Sequence, residues 1–558
     1  SGYKVDTWTI NPASALQEGG TPGSTTAKVK ITANTNVNVT FKSLYEPVAF
    51  GENGTNLDTY LKNTAPHTDG IYYIKVTGLT PADLKGDGGS FKPGALGKIL
   101  KDNPTKKVAL KLEEIPGLTD MSGCFGGCTS LTQAPVIPSG VKGMPGCFKG
   151  CTSLTHAPEI PSSVTDMGYC FSGCTSLTQV PEILNKVTNM TNCFEGCTSL
   201  TQAPAIRSSV TYMGGCFSGC TSLTHVPGIP YTVTSMSNCF EGCTSLTKAP
   251  LIPSGVERMV GCFKGCTSLT QVPKLPNKVT YMNNCFEGCT SLTQAPKLPN
   301  EVTYMTNCFA GCTSLTQAPV IPYGVSYMRR CFSGCTSLTQ APAIPNTVTN
   351  MDNCFAGCTS LTQAPPVIPN SVTNMESCFL GCTSLTQAPV IPGSVTDMQS
   401  CFSGCTSLTE APVLPANVTN IARCFANCTS LVEAPEIPAT VTGIIACFQN
   451  CGSLTKAPSV LPDGVTNMNQ CFAGCGRLTK APAIPQNVVS MQGSFQNCGS
   501  LIEAPEIPAT AQFISYCFEG CGKIKSVVLK CNYRDGSFSD LFRNCASLED
   551  GGIKVPAG

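Results

Sequence analysis

The stretch Cys170–Asn192, CFSGCTSLTQVPEILNKVTNMTN, decides the fold. It recurs with small edits about nineteen times between Cys124 and the C-terminus. Its leading cysteine falls at 124, 147, 170, 193, 216, 239, 262, 285, 308, 331 and 354, a spacing of 23 residues. One extra proline, Pro365 or Pro366, moves the next to Cys378; Cys401, Cys424 and Cys447 follow, and a second insertion near Ser459 gives Cys471. Self-similarity at such a fixed period marks a solenoid, in which no unit folds alone and stacked units share one core.

Within the unit, Cys170, Phe171, Gly173, Cys174, Leu177, Val180, Pro181, Ile183, Val187 and Met190 occupy columns that stay apolar, Gly or Pro almost throughout. The column after Phe varies freely (Lys149, Ser172, Glu195, Ser218, Glu241, Lys264). Unchanging apolar columns face the inside of the coil and variable ones face water. Leu-Thr-Gln-Ala, as in Leu131–Ala134, predicts a short strand. The proline that follows ends it, because proline has no N–H to donate to a ladder. Val-Thr-x-Met begins the other side of the coil, and Cys-Phe-x-Gly-Cys forms a tight turn or a single helical turn.

Four segments follow from this pattern. Residues 1–48 carry no repeat; Val29, Ile31 and Ala33, then Val37, Val39 and Phe41, alternate with polar residues and predict half-buried strands, with Trp8 packed among them. Residues 49–118 read as an α/β cap: a helix over 56–62, a strand over 71–78, a helix over 93–103 beginning with proline, and a strand over 106–112. A solenoid end needs such a cover, or its last strand stays open to pairing. Residues 119–522 are the array, and 523–558 the last repeat and C-terminal cap, with an irregular insert carrying Cys531.

Composition narrows the function. Charged residues make up 12% and the net charge is +1, so electrostatic capture of nucleic acid is not expected. No run of about 18 apolar residues exists, so no transmembrane helix is expected. All 15 Met lie in the repeat column that starts at Met121, and the chain begins Ser1-Gly2; a removed secretion signal is the expected reason, and with it an extracellular or cell-surface location.

Leu-Thr…Ile-Pro-x-x-Val-Thr-x-Met-x-x-Cys-Phe-x-Gly-Cys-Thr-Ser resembles the BspA-like, or treponemal-type, leucine-rich repeats of bacterial surface proteins. Val187–Met190 and Val465–Met468 (Val-Thr-Asn-Met) are closer still to the related repeats with Met-Phe in place of Ala-Phe. The resemblance covers residues 118 to about 550. It departs in having Cys before Phe, and Ala-Pro where an aliphatic residue is usual. It implies a right-handed leucine-rich-repeat array of about nineteen 23-residue coils on an exported surface protein. It also implies adhesion to host matrix proteins or to other bacteria, and brings no catalytic residues.

The 37 cysteines admit three readings. They form a ladder of buried thiols, which pack as small hydrophobes. Or they form disulfides, as an exported protein allows. Or they bind metal, which would need a site in every coil, although the ligand columns hold no His, Asp or Glu. Neither metal nor cofactor is therefore expected. Coils about 4.8 Å apart fit a bridge from Cys147 to Cys151 in its own coil or to Cys174 in the next. Cys170, Cys193 and Cys197 stand in the same relation. Ser494 replaces a leading cysteine; pairing between coils lets Cys498 bond Cys471, and is the pairing favoured if disulfides form.

His156 and His225 share the Gln column about 14 Å apart and cannot share a metal. No Ser/His/Asp set, phosphate loop or carboxylate pair is present, so a non-enzyme is expected. The recurring exposed pairs are Thr178–Gln179, Thr201–Gln202, Thr293–Gln294, Thr316–Gln317 and Thr339–Gln340. They serve the solubility of the sheet, or form a docking face for protein or glycan ligands. The alternative to a binding scaffold is a structural subunit of a filament, sheath or surface layer, assembled from copies of the chain through residues 1–48.

Overall fold

The computed structural model describes residues 3–11, 13–19, 24–29, 35–183 and 186–555. They form two units, residues 1–233 and 234–558.

The first unit opens with β1 (Tyr3–Asn11), β2 (Leu16–Gly19), β3 (Ala27–Val29) and β4 (Asn36–Ser43). β1 pairs antiparallel with β4, and β2 with β3, as two separate two-stranded sheets. The expectation of half-buried strands holds at Val29 and Val39 and fails at Val37 and Phe41, which are 44% and 63% exposed. Ile31 and Ala33 lie outside the described residues. Trp8 is half-buried and anchored by its indole N–H, which donates to the Ser24 carbonyl at 2.8 Å.

The cap follows as β5 (Glu46–Ala49), α1 (Thr55–Asn63), β6 (Tyr72–Thr77), α2 (Pro81–Leu84), α3 (Ala95–Asp102) and β7 (Val108–Leu112). β5, β6, β7 and β8 (Leu131–Gln133) make one parallel sheet in that order. Tyr72, Ile74 and Val76 alternate into the core against Leu57, Leu61, Leu96 and Leu100 of the helices. The first coil thus supplies the fourth strand of the cap sheet. α3 also takes the place of a preceding coil. Its Gly97 and Leu100 carbonyls accept from the Cys128 thiol (3.1 Å) and the Ser130 hydroxyl (2.9 Å). Gly97 permits this approach, since a Cβ there would sit 2.1 Å from the Cys124 carbonyl oxygen.

Each coil is a chain of tight turns rather than helix plus strand. In the coil at Cys170, the N–H groups of Met167, Tyr169, Phe171 and Gly173 donate to carbonyls of the following coil at 2.6–3.0 Å. Those of Cys170, Ser172 and Cys174 fold back three residues within the coil at 3.0–3.1 Å. This alternation requires positive φ at Tyr169 (57°) and Gly173 (74°), which is why a Gly or Asn column stands at the second of these positions. After β8 the expected four-residue strand shrinks to isolated bridges that mostly join coils in pairs, such as His156 with Gln179 and Gln294 with Gln317, because proline ends the ladder at once. The extra residues near Pro366 and Ser459 are absorbed as local bends, and register resumes beyond them.

Phe, Leu, Val, Met and both cysteine columns are buried up to the last coil, where Phe542, Cys545 and Leu548 are half-buried. Phenylalanine rings stack along each unit with centroids 5.4–5.6 Å apart from Phe125 to Phe217, and 5.4–5.9 Å apart from Phe240 to Phe542. Burying each ring contributes about 1.5–3 kcal/mol. At the far end β9 (Val527–Val528) pairs in parallel with β10 (Ile553–Lys554), and the insert between them buries Cys531.

Candidate binding surfaces

Two ladders run along the coils, one inside and one outside. The inner ladder is the cysteines. Apart from Cys216, Cys239 and Cys243 they carry no bridge in this structure, and all 37 but Cys545 are buried. In the first unit the thiols of Cys151, Cys174, Cys197 and Cys220 donate to the Phe carbonyl of the coil before, at 3.0–3.2 Å. In the second the same bond recurs from Cys266 to Cys545, including Cys498 to Phe472 at 3.1 Å. The Phe carbonyl has two lone pairs: one takes the N–H three residues on in its own coil, and the other takes the thiol. Burial pushes Cys174, Cys471 and Cys498 up to about 12 and holds Cys147, Cys151, Cys170 and Cys197 well above the ordinary thiol range. Cys193 is raised for the same reason. Where Ser494 replaces a leading cysteine, its hydroxyl donates to the Met468 carbonyl at 2.8 Å, so the substitute is again a buried hydrogen donor.

The outer ladder is the Thr/Gln face. Gln179, Gln202, Gln294, Gln317 and Gln340 are exposed, with their neighbouring threonines. The two columns have different tasks. Thr178 and Thr316 donate their hydroxyls to the carbonyls of Thr155 (3.1 Å) and Thr293 (3.3 Å) one coil back, and the carbonyls of Thr201 and Thr339 accept from Thr224 and Thr362 in the same way. These threonines tie coils together, which leaves the glutamines as the outward array. From Glu410 on, the column becomes charged, with Lys456–Glu433 (3.3 Å) and Lys480–Glu503 (2.9 Å) paired between coils.

The Gln column starts at a concavity of about 740 Å³ in the first unit, lined by Asp69, Tyr73, Lys107, Gln133, Thr155 and His156 among others. Tyr73 donates its hydroxyl to Asp69 Oδ2 at 2.8 Å. Burial, then that carboxylate, push its phenol up to about 12. His156, read from the sequence as a plain replacement for Gln, bonds Thr155 Oγ1 through Nδ1 (2.9 Å) at the rim. His225 lies in the same column, bridged to Gln202. Sequence reasoning missed this concavity because half of it comes from the non-repeating cap.

The opposite corner of the coil carries a third column, the x of Val-Thr-x-Met. Asp120, Asp166 and Asn189 in the first unit accept the backbone N–H two residues on at 2.9–3.0 Å. Asn350, Asn374, Asp397, Asn420 and Asn467 in the second do so at 2.8–3.1 Å. Each such cap contributes about 1 kcal/mol.

Stacked coils of this kind, with leucine, phenylalanine and thiol columns inside and a polar strip outside, define a leucine-rich-repeat protein. The BspA type leucine rich repeat region, in six copies, matches residues 121–247, 236–362, 328–455 and 445–555. The chain belongs to that family. Among solved structures it is similar to a leucine-rich repeat protein from Bacteroides ovatus, at 26% identity over 64% of this chain and 92% of that one, with a TM-score of 0.49. One from Eubacterium ventriosum matches at 18% over 53% and 81%, with a TM-score of 0.37. A leucine rich cell surface protein from Faecalibacterium prausnitzii matches at 18% over 81% and 94%, with a TM-score of 0.30. No curated protein sequence matches the chain. Among the described residues no helix is long and apolar enough to cross a membrane.

Proposed function

We propose that this chain is a surface-displayed binding scaffold whose glutamine column docks a protein partner. Leucine-rich-repeat proteins are generally binding scaffolds rather than catalysts, and their usual ligands are proteins. The observation that carries the reading is the division of labour on the outer face. In alternate coils the threonine hydroxyl is spent on the coil before, as at Thr178 and Thr316, while Gln179, Gln202, Gln294, Gln317 and Gln340 stay exposed and uncharged at a fixed spacing. An amide offers both donors and an acceptor, so a regular row of them fits backbone or amide groups of a partner without a charge to desolvate. The cell-surface description of the Faecalibacterium relative supports display outside the cell. The thiol ladder belongs to the same reading: it holds the core together and takes no part in binding.

Solid-phase binding of the purified chain to immobilised extracellular-matrix proteins tests this. Saturable binding is expected, weakened about tenfold when Gln294, Gln317 and Gln340 are changed to Glu. Binding that ignores those changes removes the column from the account. A second reading, a subunit of an extracellular filament or layer, draws on one observation: among the described residues the β1–β4 ribbon pairs with no further strand, and it exposes Val37 and Phe41.

A further inference from the structure

The x column also holds small residues at Gly143, Ser235, Gly443 and Ser490 and single aromatic residues at Tyr212 and Phe513, but in four consecutive coils of the second unit it holds large side chains. Arg258, Tyr281, Tyr304 and Tyr327 stand where the coils beyond have Asn350, Asn374, Asp397 and Asn420. Their backbones are bridged in sequence, Arg258 to Tyr281 to Tyr304 to Tyr327. None of the four side chains offers the short carbonyl or carboxylate oxygen that caps the backbone elsewhere. One lost cap is replaced from outside: Thr306 N–H donates to Asn283 Oδ1 of the coil before at 3.0 Å. A run that gives up a local stabilising contact four times, and places large side chains in water, is not explained by the fold.

Its chemistry points one way. Tyr281 and Tyr304 stack with centroids 5.1 Å apart and planes 4° apart, and the Arg258 guanidinium lies 4.5 Å over the Tyr281 ring. Tyr304 and Tyr327 are 39% and 48% exposed. Stacking covers the Tyr281 ring between Arg258 and Tyr304 and one face of Tyr304, so this part of the strip does not offer a flat aromatic platform for sugar rings. What reaches outward is ring edges, the positive rim of the aromatic quadrupole, together with phenol hydroxyls. Guanidinium groups stand at both ends: Arg258 at one, exposed Arg330 at the other, while Arg329 is held by Asp352 at 2.6 Å. Between residues 257 and 330 the acidic groups are Glu257, Glu287 and Glu301, of which Glu287 is paired with Lys264 at 3.5 Å, and Arg258, Lys274, Lys278, Lys297 and Arg330 outnumber them. Donors and positive edges predominate, which complements carboxylates and backbone carbonyls. Tyrosine and arginine are also the residues that concentrate binding energy in protein interfaces.

We infer that Arg258, Tyr281, Tyr304, Tyr327 and Arg330 form a second docking strip, separate from the glutamine column, for an extended acidic polypeptide segment. The strip spans four coils, on the order of 15 Å, the length of about five extended residues.

The test uses the full chain and fluorescein-labelled poly-L-glutamate, followed by anisotropy at low salt. The variant is Tyr281→Asn/Tyr304→Asn/Tyr327→Asn, which installs the residue the column holds in other coils. Binding by the unaltered chain, weakened at least about tenfold in the triple variant with no drop in melting temperature, is the expected result. Gln294→Glu/Gln317→Glu/Gln340→Glu is expected to leave at least half of that affinity, separating this strip from the glutamine column. Absence of binding, equal affinity in the triple variant, or stronger competition by polygalacturonate than by unlabelled poly-L-glutamate overturns the inference; the last would mark a polysaccharide strip.

Discussion

A cysteine in this chain is a hydrogen donor before it is anything else. The second-column thiol reaches a Phe carbonyl one coil back at 3.0–3.2 Å, and Ser494 keeps a donor where a leading cysteine is missing. This has a pH consequence. Burial raises the folded thiols from the ordinary 9.0, Cys174 and Cys471 to about 12. Below pH 9 both states are protonated and the thiols stabilise fully. As pH rises from about 9 towards 12, only the unfolded state loses protons, so stability falls. At pH 9 each such thiol favours unfolding by about 0.4 kcal/mol, and the effect accumulates along the ladder. Circular dichroism from pH 6 to 11 is expected to stay flat to about pH 8 and to collapse within about one unit above pH 9. A disulfide ladder has no such protons to lose; a signal retained at about pH 10.5 would contradict the thiol reading.

At the scale of the coil, the backbone is the invariant and the side chains serve it. Gly311 has φ 71° and its Cβ would meet only Gly288 at 3.6 Å, so there is room for a side chain but not for a β-branched one in that conformation. Asn427, Asn450, Asn497 and Asn544 hold the same place at φ 59–61°. Gly311→Asn is therefore expected to cost under about 1 kcal/mol and Gly311→Val about 2 kcal/mol or more, read as urea midpoints; equal losses would refute the conformational explanation. The apolar columns were legible in the sequence because each repeats its own evidence nineteen times. Four of the cap elements were legible from period and proline, and α3 (Ala95–Asp102) and β6 (Tyr72–Thr77) fall inside their expected segments, whereas α2 (Pro81–Leu84) and β5 (Glu46–Ala49), which crosses the expected boundary at residue 48, were not. The thiol-to-carbonyl bond was not legible, because its acceptor is a backbone atom 26 residues away. The Arg258–Tyr327 run was visible as letters, but its meaning depends on the cap that Asn and Asp supply in the other coils. The exposure of Val37 and Phe41 was not legible either, since alternation predicts a buried face only when something packs on it.

For the molecule as a whole, the binding scaffold and the assembling subunit make opposite demands on its ends. α3 and the cap sheet cover the first coil: the Cys128 thiol, the Ser130 hydroxyl and β8 all find partners there. A covered end does not extend a sheet into a neighbouring copy, whereas among the described residues the β1–β4 ribbon pairs with no further strand. The low charge, 12% of residues with a net of +1, gives little electrostatic resistance to self-association, so the outcome rests on the ends. Electron microscopy of the natively prepared protein separates the two most directly. The binding-scaffold account predicts isolated particles, each a single chain, at every concentration examined. Ordered filaments or lattices with a regular subunit repeat would contradict it and make the β1–β4 ribbon the assembly element.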